Sequence, residues 1–278
     1  MEQTKIKVLS CGTIHMTPKD VYIKDKSLGQ KRLAPPVNVF YIEHPVHGKI
    51  LVDTGLSLDV KKVFPPHLMA FYQPEIEKGQ SAKEQLHAMG VEPEDLDLVL
   101  LTHLDADHTC ALKDFAGKAK RIVCPELEYF YSSRAVYKLR QVWDTWMPYE
   151  RQMERVYFRS SVLGPVGRGF DLYGDDNILC IFCPGHTAGT IAVLVSTGPS
   201  NRFKCHGEGH YGGNYVVLGG DVAFNRRNID DLVEPGYGFD HKQHQHGVKF
   251  LHDLREDPKC LKILCSHDPE IQGFEITY

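Results

Sequence analysis

The chain has no long apolar run: nothing in it approaches the roughly 18 consecutive apolar residues of a membrane span. Its opening stretch, MEQTKIKVLSCGTI, has neither the extended apolar segment nor the small-residue cleavage site of a secretory signal. Membrane insertion and export are therefore not expected, and a cytoplasmic location is. A strong charge imbalance is missing as well. Lys and Arg number 32 against 36 Asp and Glu, for a net charge of -4, which gives no electrostatic reason to expect nucleic acid or an anionic membrane as partner. A small-molecule substrate is expected instead. There is no low-complexity tract and no repeat of fixed short period. Also lacking is a second Cys-x-x-Cys. Cys180 and Cys183 stand alone at that spacing, inside a strand-like run, so a zinc knuckle or a redox dithiol is disfavoured. The eight cysteines (Cys11, Cys110, Cys124, Cys180, Cys183, Cys205, Cys260 and Cys265) lie mostly in apolar stretches and read as reduced core thiols.

What is present is the material of an ordinary globular domain. A chain of 278 residues, 42% hydrophobic and 24% charged, can bury a substantial core, and one domain spanning 1–278 is expected. Short β-branched or apolar runs at 6–9, 37–42, 50–52, 98–101, 122–124, 178–182, 191–195, 215–218 and 261–265 read as strands. Apolar spacings of three and four predict helices at 81–89, 125–139, 141–154 and 241–254. Strands at the start, then strands alternating with helices, indicate an α/β (α+β) architecture of two sheets flanked by helices. Irregular stretches at 13–36 and 57–79 are long for connections, and loops of that length commonly carry function. A third, 197–214, reads as a long hairpin tip, where His206 and His210 are incidental.

The densest chemistry is Thr102-His103-Leu104-Asp105-Ala106-Asp107-His108, directly after the apolar run 98–101. Four metal-ligand side chains in six residues can embrace two ions, and bound cations remove the cost of burying so many charges together. Three more apolar runs end in the same way. His186 follows 178–182, Asp221 follows 215–218 and His267 follows 261–265, some beside glycines that admit close backbone approach. Four strand ends presenting His or Asp point to one shared metal pocket. His241, His244 and His246 read as exposed residues at a helix start and are left out of it.

These segments resemble the metallo-β-lactamase superfamily, whose signature is HxHxDH followed by a single His, an Asp and a last His. Asp53-Thr54-Gly55 matches its early DTG turn. Within the superfamily the chain looks most like the N-acyl homoserine lactonases, through HGKILVDTGLS, LVLLTHLDADH, CPGHTAGT, GGDVAF, EPGYGFD and ILCSHDPE. The resemblance implies an αββα sandwich of two mixed sheets with two divalent metals at its edge. By position, His103, Asp105 and His186 would hold one metal, Asp107, His108 and His267 the other, and Asp221 would bridge them. Asp53 would hydrogen-bond a ligand and fix its orientation, or is a turn residue after a strand. The implied reaction is opening of an ester or lactone by a hydroxide between the metals, with Asp107 passing the proton to the leaving alkoxide.

Two positions depart from the pattern. Asp105 stands where the second His belongs, and Phe224 stands where the lactonases place a Tyr that assists the substrate carbonyl. With Asp105, Asp107, Asp221 and a hydroxide, four negative charges would neutralise two divalent ions, and the harder donor set favours iron or manganese over zinc. The aromatic segment 126–158, with Trp143 and Trp146, reads as a substrate-pocket wall, a dimer face or helices packed on the sandwich. Met16 and the stretch 64–71 with Phe71 are further candidate acyl-chain contacts. One rival is a di-iron oxidoreductase reducing oxygen or nitric oxide, since such members carry HxExDH, although they usually need a flavin domain for which no length remains. Another is a metal-binding sensor without turnover.

Overall fold

The computed structural model describes residues 3–23, 29, 31–132, 134–138, 140–141, 143–161, 163–197 and 213–278. The strands among them are, in chain order, β1 (Lys5–Thr13), β2 (Pro36–His44), β3 (Gly48–Val52), β4 (Leu98–Leu100), β5 (Ile122–Pro125), β6 (Met153–Val156) and β7 (Arg159–Ser160). They continue with β8 (Arg168–Asp171), β9 (Ile178–Phe182), β10 (Ile191–Ser196), β11 (Tyr215–Gly220), β12 (Cys260–Cys265) and β13 (Glu275–Thr277). One sheet runs β13-β1-β2-β3-β4-β5-β6, the other β12-β11-β10-β9-β8-β7.

Side-chain alternation along each strand builds three apolar layers. Ile6, Val8, Phe40, Ile42, Val52 and Leu100 of the first sheet meet Cys180, Val193, Val195, Val216 and Leu218 of the second. The opposite face of the first sheet, with Leu9, Val39, Leu51 and Val99, packs on Ala82, Leu86, Phe115 and Trp146. The opposite face of the second, with Leu179, Ile181, Leu194 and Val217, packs on Val248, Leu251 and Leu254 of the helix His241–Arg255. Strands covered on both faces must be apolar throughout, which is why they read in sequence as uninterrupted runs. The result is the αββα sandwich of two mixed sheets. Among the described residues no helix is long and apolar enough to cross a membrane.

Two expected helices are corrected. The stretch 141–154 divides into a short helix Trp143–Trp146, a 3-10 segment Met147–Gln152 and strand β6, which pairs in parallel with β5. Pro148 lacks a backbone N–H and ends the first of these pieces. Helix 125–139 forms as Glu126–Ser132 and Ala135–Lys138, with a break near Arg134. The hairpin tip expected at 197–214, with His206 and His210, falls almost wholly outside the described residues, as does Cys205. Of the other cysteines, six are buried and Cys260 is partly so. Cys180 and Cys183 point to opposite faces of the second sheet, into the inter-sheet core and under the long helix respectively, so they do not act as a pair.

Strands β3, β4, β5 and β6 run in parallel, as do β11 and β12, and β9 shares the direction of β11 because β10 is antiparallel to both. The C-terminal ends of β3, β4, β9, β11 and β12 therefore collect at one edge of the sandwich.

Candidate metal centre

Each chemical residue singled out in the sequence hangs from one of those strand ends. After β4 the chain runs irregularly to Asp105, which caps the short helix Ala106–Thr109 and so throws Asp107 and His108 back toward His103. His186 lies in the turn between β9 and β10, Asp221 just past β11 and His267 just past β12. All seven side chains are buried.

Three groupings have donor atoms within 4.8 Å of one another: His103, Asp105 and His186; His103, His108 and Asp221; and Asp107, His108 and His267. Asp221 reaches both halves. Its Oδ2 lies 3.3 Å from His186 Nε2 and 3.2 Å from His267 Nε2, and its Oδ1 lies 3.3 Å from His108 Nε2. Asp105 Oδ2 is 3.2 Å from His186 Nε2, and Asp107 Oδ2 is 3.4 Å from His267 Nε2.

The outer nitrogens show why all four imidazoles aim inward by Nε2. His103 Nδ1 lies 3.0 Å from Thr102 Oγ1, and His108 Nδ1–H donates to Asp53 Oδ2 at 2.8 Å. His186 and His267 Nδ1–H donate to the carbonyls of Tyr237 and Pro36 at 3.0 and 2.8 Å. A proton spent outward on each ring leaves the Nε2 lone pair for the interior, the tautomer a metal requires. Meanwhile His103 Nε2, His108 Nε2, Asp105 Oδ1 and Asp221 Oδ1 are buried without a hydrogen bond among the described residues. Four such atoms in one pocket are costly unless a cation satisfies them, so the residues fit a pair of metal ions.

The electrostatics agree. Burial disfavours a charge on His108, but the carboxylates of Asp221, Asp53 and Asp107 outweigh it and hold this imidazole well above its usual pKa. Burial likewise opposes ionisation of Asp221, yet His267, His108 and His186 keep it well below the carboxylate range. His103, farther from the carboxylates, is driven well below its usual value by burial and by His108. Around Asp221, His108 and His267 the pocket favours positive charge, while His103 is held neutral.

Asp53 takes the unusual φ of 62° for a non-glycine residue at the end of β3. That conformation lets Oδ1 accept from Thr102 N and Oδ2 from Thr102 Oγ1, both at 2.8 Å, while Oδ2 also accepts from His108.

Comparison with known families fixes what scaffold this is. The family model of the metallo-beta-lactamase superfamily matches residues 33–261. The chain belongs to that superfamily. Among curated relatives, the N-acyl homoserine lactonase AttM of Agrobacterium fabrum is 26% identical over 97% of this chain and 95% of its own. A probable metallo-hydrolase of Mycobacterium tuberculosis is 27% identical over 81% of this chain and 72% of its own. An N-acyl homoserine lactone hydrolase, solved with N-hexanoyl-L-homoserine at its catalytic metal center, superposes with a TM-score of 0.74 at 21% identity. That match covers 97% of this chain and 95% of the other.

Against the superfamily pattern, three supporting residues escaped the sequence reading. Arg140 lies partly buried beside the cluster. Its Nη2 donates to Asp105 Oδ2 at 2.5 Å and lies 3.2 Å from His186 Nε2, its Nη1 donates to the His186 carbonyl at 2.9 Å, and Tyr237 stacks beneath it at 4.3 Å. Burial alone would raise the pKa of Asp105, but Arg140 and His186 hold the carboxyl well below its usual range. Glu128, fully buried, accepts from Leu104 N at 3.1 Å and Gly189 N at 2.5 Å, joining the His103–Asp105 loop to the His186 turn. His244 corrects an expectation: His241 and His246 are exposed, but His244 is buried, its Nε2–H donating to the Asp221 carbonyl at 3.1 Å. Burial pulls its pKa down to about 3, so it is a neutral strut.

The pocket candidates divide. Phe224 is buried with its ring 4.9 Å from that of His267 and 5.6 Å from that of His186. It shares an apolar cluster with Met16, Leu56, Phe64 and Tyr72, against which Phe71 packs, drawn from the stretch after β1 and the segment that follows β3. Trp146 does not line a pocket: it is fully buried under the first sheet with Leu104 and Phe115, where its large ring adds to the core. The side chain of Trp143 lies outside the described residues. A cavity of about 370 Å³, unforeseen in the sequence, reaches His267 between Val21, Tyr22, Leu33, Pro35 and Asn225.

Proposed function

We propose that the chain is a metal-dependent hydrolase that opens an ester or lactone ring, N-acyl homoserine lactones being the favoured substrates, with two divalent ions held in one centre. The single observation that carries this is the convergence of four inward-facing imidazoles and three carboxylates on one buried pocket. The curated lactonase relatives, which span nearly the whole chain, support the substrate class.

His103, Asp105 and His186 would hold one ion, Asp107, His108 and His267 the other, with Asp221 between them and Asp53 orienting His108. Zinc, iron and manganese all suit this donor set, and its third carboxylate favours the latter two. When bound, such a pair would supply Lewis acidity that lowers the pKa of a water and polarises a substrate carbonyl at neutral pH. Asp107 is the group assigned to carry the proton to the leaving alkoxide. Burial raises its pKa, which suits a carboxylate that must accept and release a proton. Phe224 has no hydroxyl to offer the carbonyl. The paired phenols of Tyr72 and Tyr237, with oxygens 3.2 Å apart and the Tyr237 ring 6.0 Å from that of His186, are assigned that part. The cavity at His267, lined by the apolar Val21, Leu33 and Pro35 and also by Arg226, Arg227, Asp268 and Glu270, is proposed to take a short acyl chain against its apolar residues. Homodimer formation through the aromatic segment and a cytoplasmic location remain part of the proposal.

The test is hydrolysis of acyl lactones of graded chain length and of simple esters by the metal-loaded protein and its Asp107→Asn variant. Lactone opening that falls by about 100-fold or more in the variant at unchanged metal content supports the reading. No turnover of any lactone or ester overturns it, and an Asp107→Asn protein with full rate removes the proton role.

A further inference from the structure

We propose that Arg140 is a resident cation of the centre which neutralises Asp105 and makes the two metal positions unequal, the position at His103, Asp105 and His186 binding its ion more weakly than the position at Asp107, His108 and His267. The inference rests on the two-metal reading above.

Three observations carry it. The Arg140 side chain is only 12% exposed and its partner Asp105 only 2%, so the ion pair sits in a medium where charges act strongly on one another. Its Nη2 lies within hydrogen-bond distance of Asp105 Oδ2 and of His186 Nε2, two donor atoms of the same candidate position. The second position has no such cation among the described contacts: the hydrogen-bonding and charged partners of His108 and His267 are Asp107, Asp221 and, on the outer side, Asp53 and the Pro36 carbonyl, and their rings pack on His103 and Phe224.

A guanidinium cannot shed its proton. An ion entering the first position must therefore compete for the His186 lone pair and bear the repulsion of a fixed positive charge. Asp105 remains able to serve, because Arg140 engages Oδ2 and leaves Oδ1 free. The charge count changes accordingly. The three aspartates and a hydroxide alone would cancel two divalent ions; with Arg140 the loaded centre keeps one net positive charge, the same as a site with a neutral histidine at position 105. Asp105 and Arg140 thus act together as one neutral unit.

The opposite role for a group next to a ligand is to orient it, and removing an orienting partner lowers metal affinity roughly 10–100-fold. The two roles predict opposite signs. Zinc(II) alone is titrated into metal-free protein against a chromophoric chelator, giving stepwise dissociation constants for wild type, Arg140→Met, Arg140→Lys and the double variant Asp105→His, Arg140→Met. Wild type and Arg140→Lys are expected to bind one ion tightly and a second at least about tenfold more weakly. Arg140→Met is expected to tighten the weaker step by about tenfold or more, and the double variant to bring the two steps together. Equal steps in wild type, or a weaker second step in Arg140→Met, overturns the proposal. If Arg140→Met does not fold, wild type and the double variant decide by the same criterion. Protein that binds no zinc at either step refutes the metal centre itself, a different outcome from two equal sites.

Discussion

At the scale of single residues, the seven candidate ligands were legible because they follow strand ends, where an uninterrupted apolar run stops and His or Asp begins. Their supports were not. Arg140 is one cation among 32 Lys and Arg, with no fixed spacing to Asp105, and only the fold brings them together. A buried carboxylate in place of an imidazole does require a counter-charge, but sequence does not say which one. His244 was misread because a helix start is usually exposed, whereas this one packs on the Asp221 turn.

Glu128 permits a prediction at this scale. Burial chiefly, with the Asp105 charge, raises its pKa to about 7, against the lowering effect of Thr187 and two backbone N–H groups. An acid whose pKa is raised in the fold contributes stability that is complete below its ordinary value near 4.5 and is lost as pH climbs through about 7. In metal-free protein, Glu128→Gln is therefore expected to gain on wild type by about 3 kcal/mol between pH 4.5 and pH 8. Urea unfolding at several pH values measures this, and a constant gap between the two proteins contradicts it.

At the scale of elements, nine of the strands among the described residues and the helix His241–Arg255 were read, the helix start being fixed by Asp240 accepting from Gln243 N at 3.0 Å, while β1 runs four residues beyond its expected end and β6, β7, β8 and β13 were not read. The aromatic segment was read less well. Strand β6 is an edge strand only four residues long, and its neighbours carry helical spacing by composition alone, so nothing local separates it from a helix. The turn carrying His186 is under tight constraint. Gly185 has φ of 137°, and a Cβ there would stand 2.2 Å from the backbone nitrogen of His244. Gly185→Ala must separate that turn from the helix, with an expected cost on the order of 3 kcal/mol or more and a loss of metal binding. Thermal unfolding with metal analysis tests it; an alanine variant of wild-type stability that keeps its metals shows that the contact does not hold the turn.

At the scale of the whole molecule, the two sheets exist in the sequence as apolar runs, and their closure into an αββα sandwich follows from covering both faces of each. Which edge gathers the ligands follows from strand direction, something period and composition do not record. The family model spanning residues 33–261 shows the superfamily, and solved lactone hydrolases share the fold. On the proposed function, a pocket of three aspartates and four histidines that buries its charge would tie stability to the ions it binds. The most direct measurement is therefore metal content, melting temperature and lactone hydrolysis followed together on one preparation, before chelation, after it and after reloading with zinc, manganese or iron(II). The account predicts two ions per chain, a fall of about 10 °C and loss of hydrolysis on chelation, and recovery of all three on reloading. A protein that stays empty when these ions are supplied, or that hydrolyses lactones equally well without them, contradicts it.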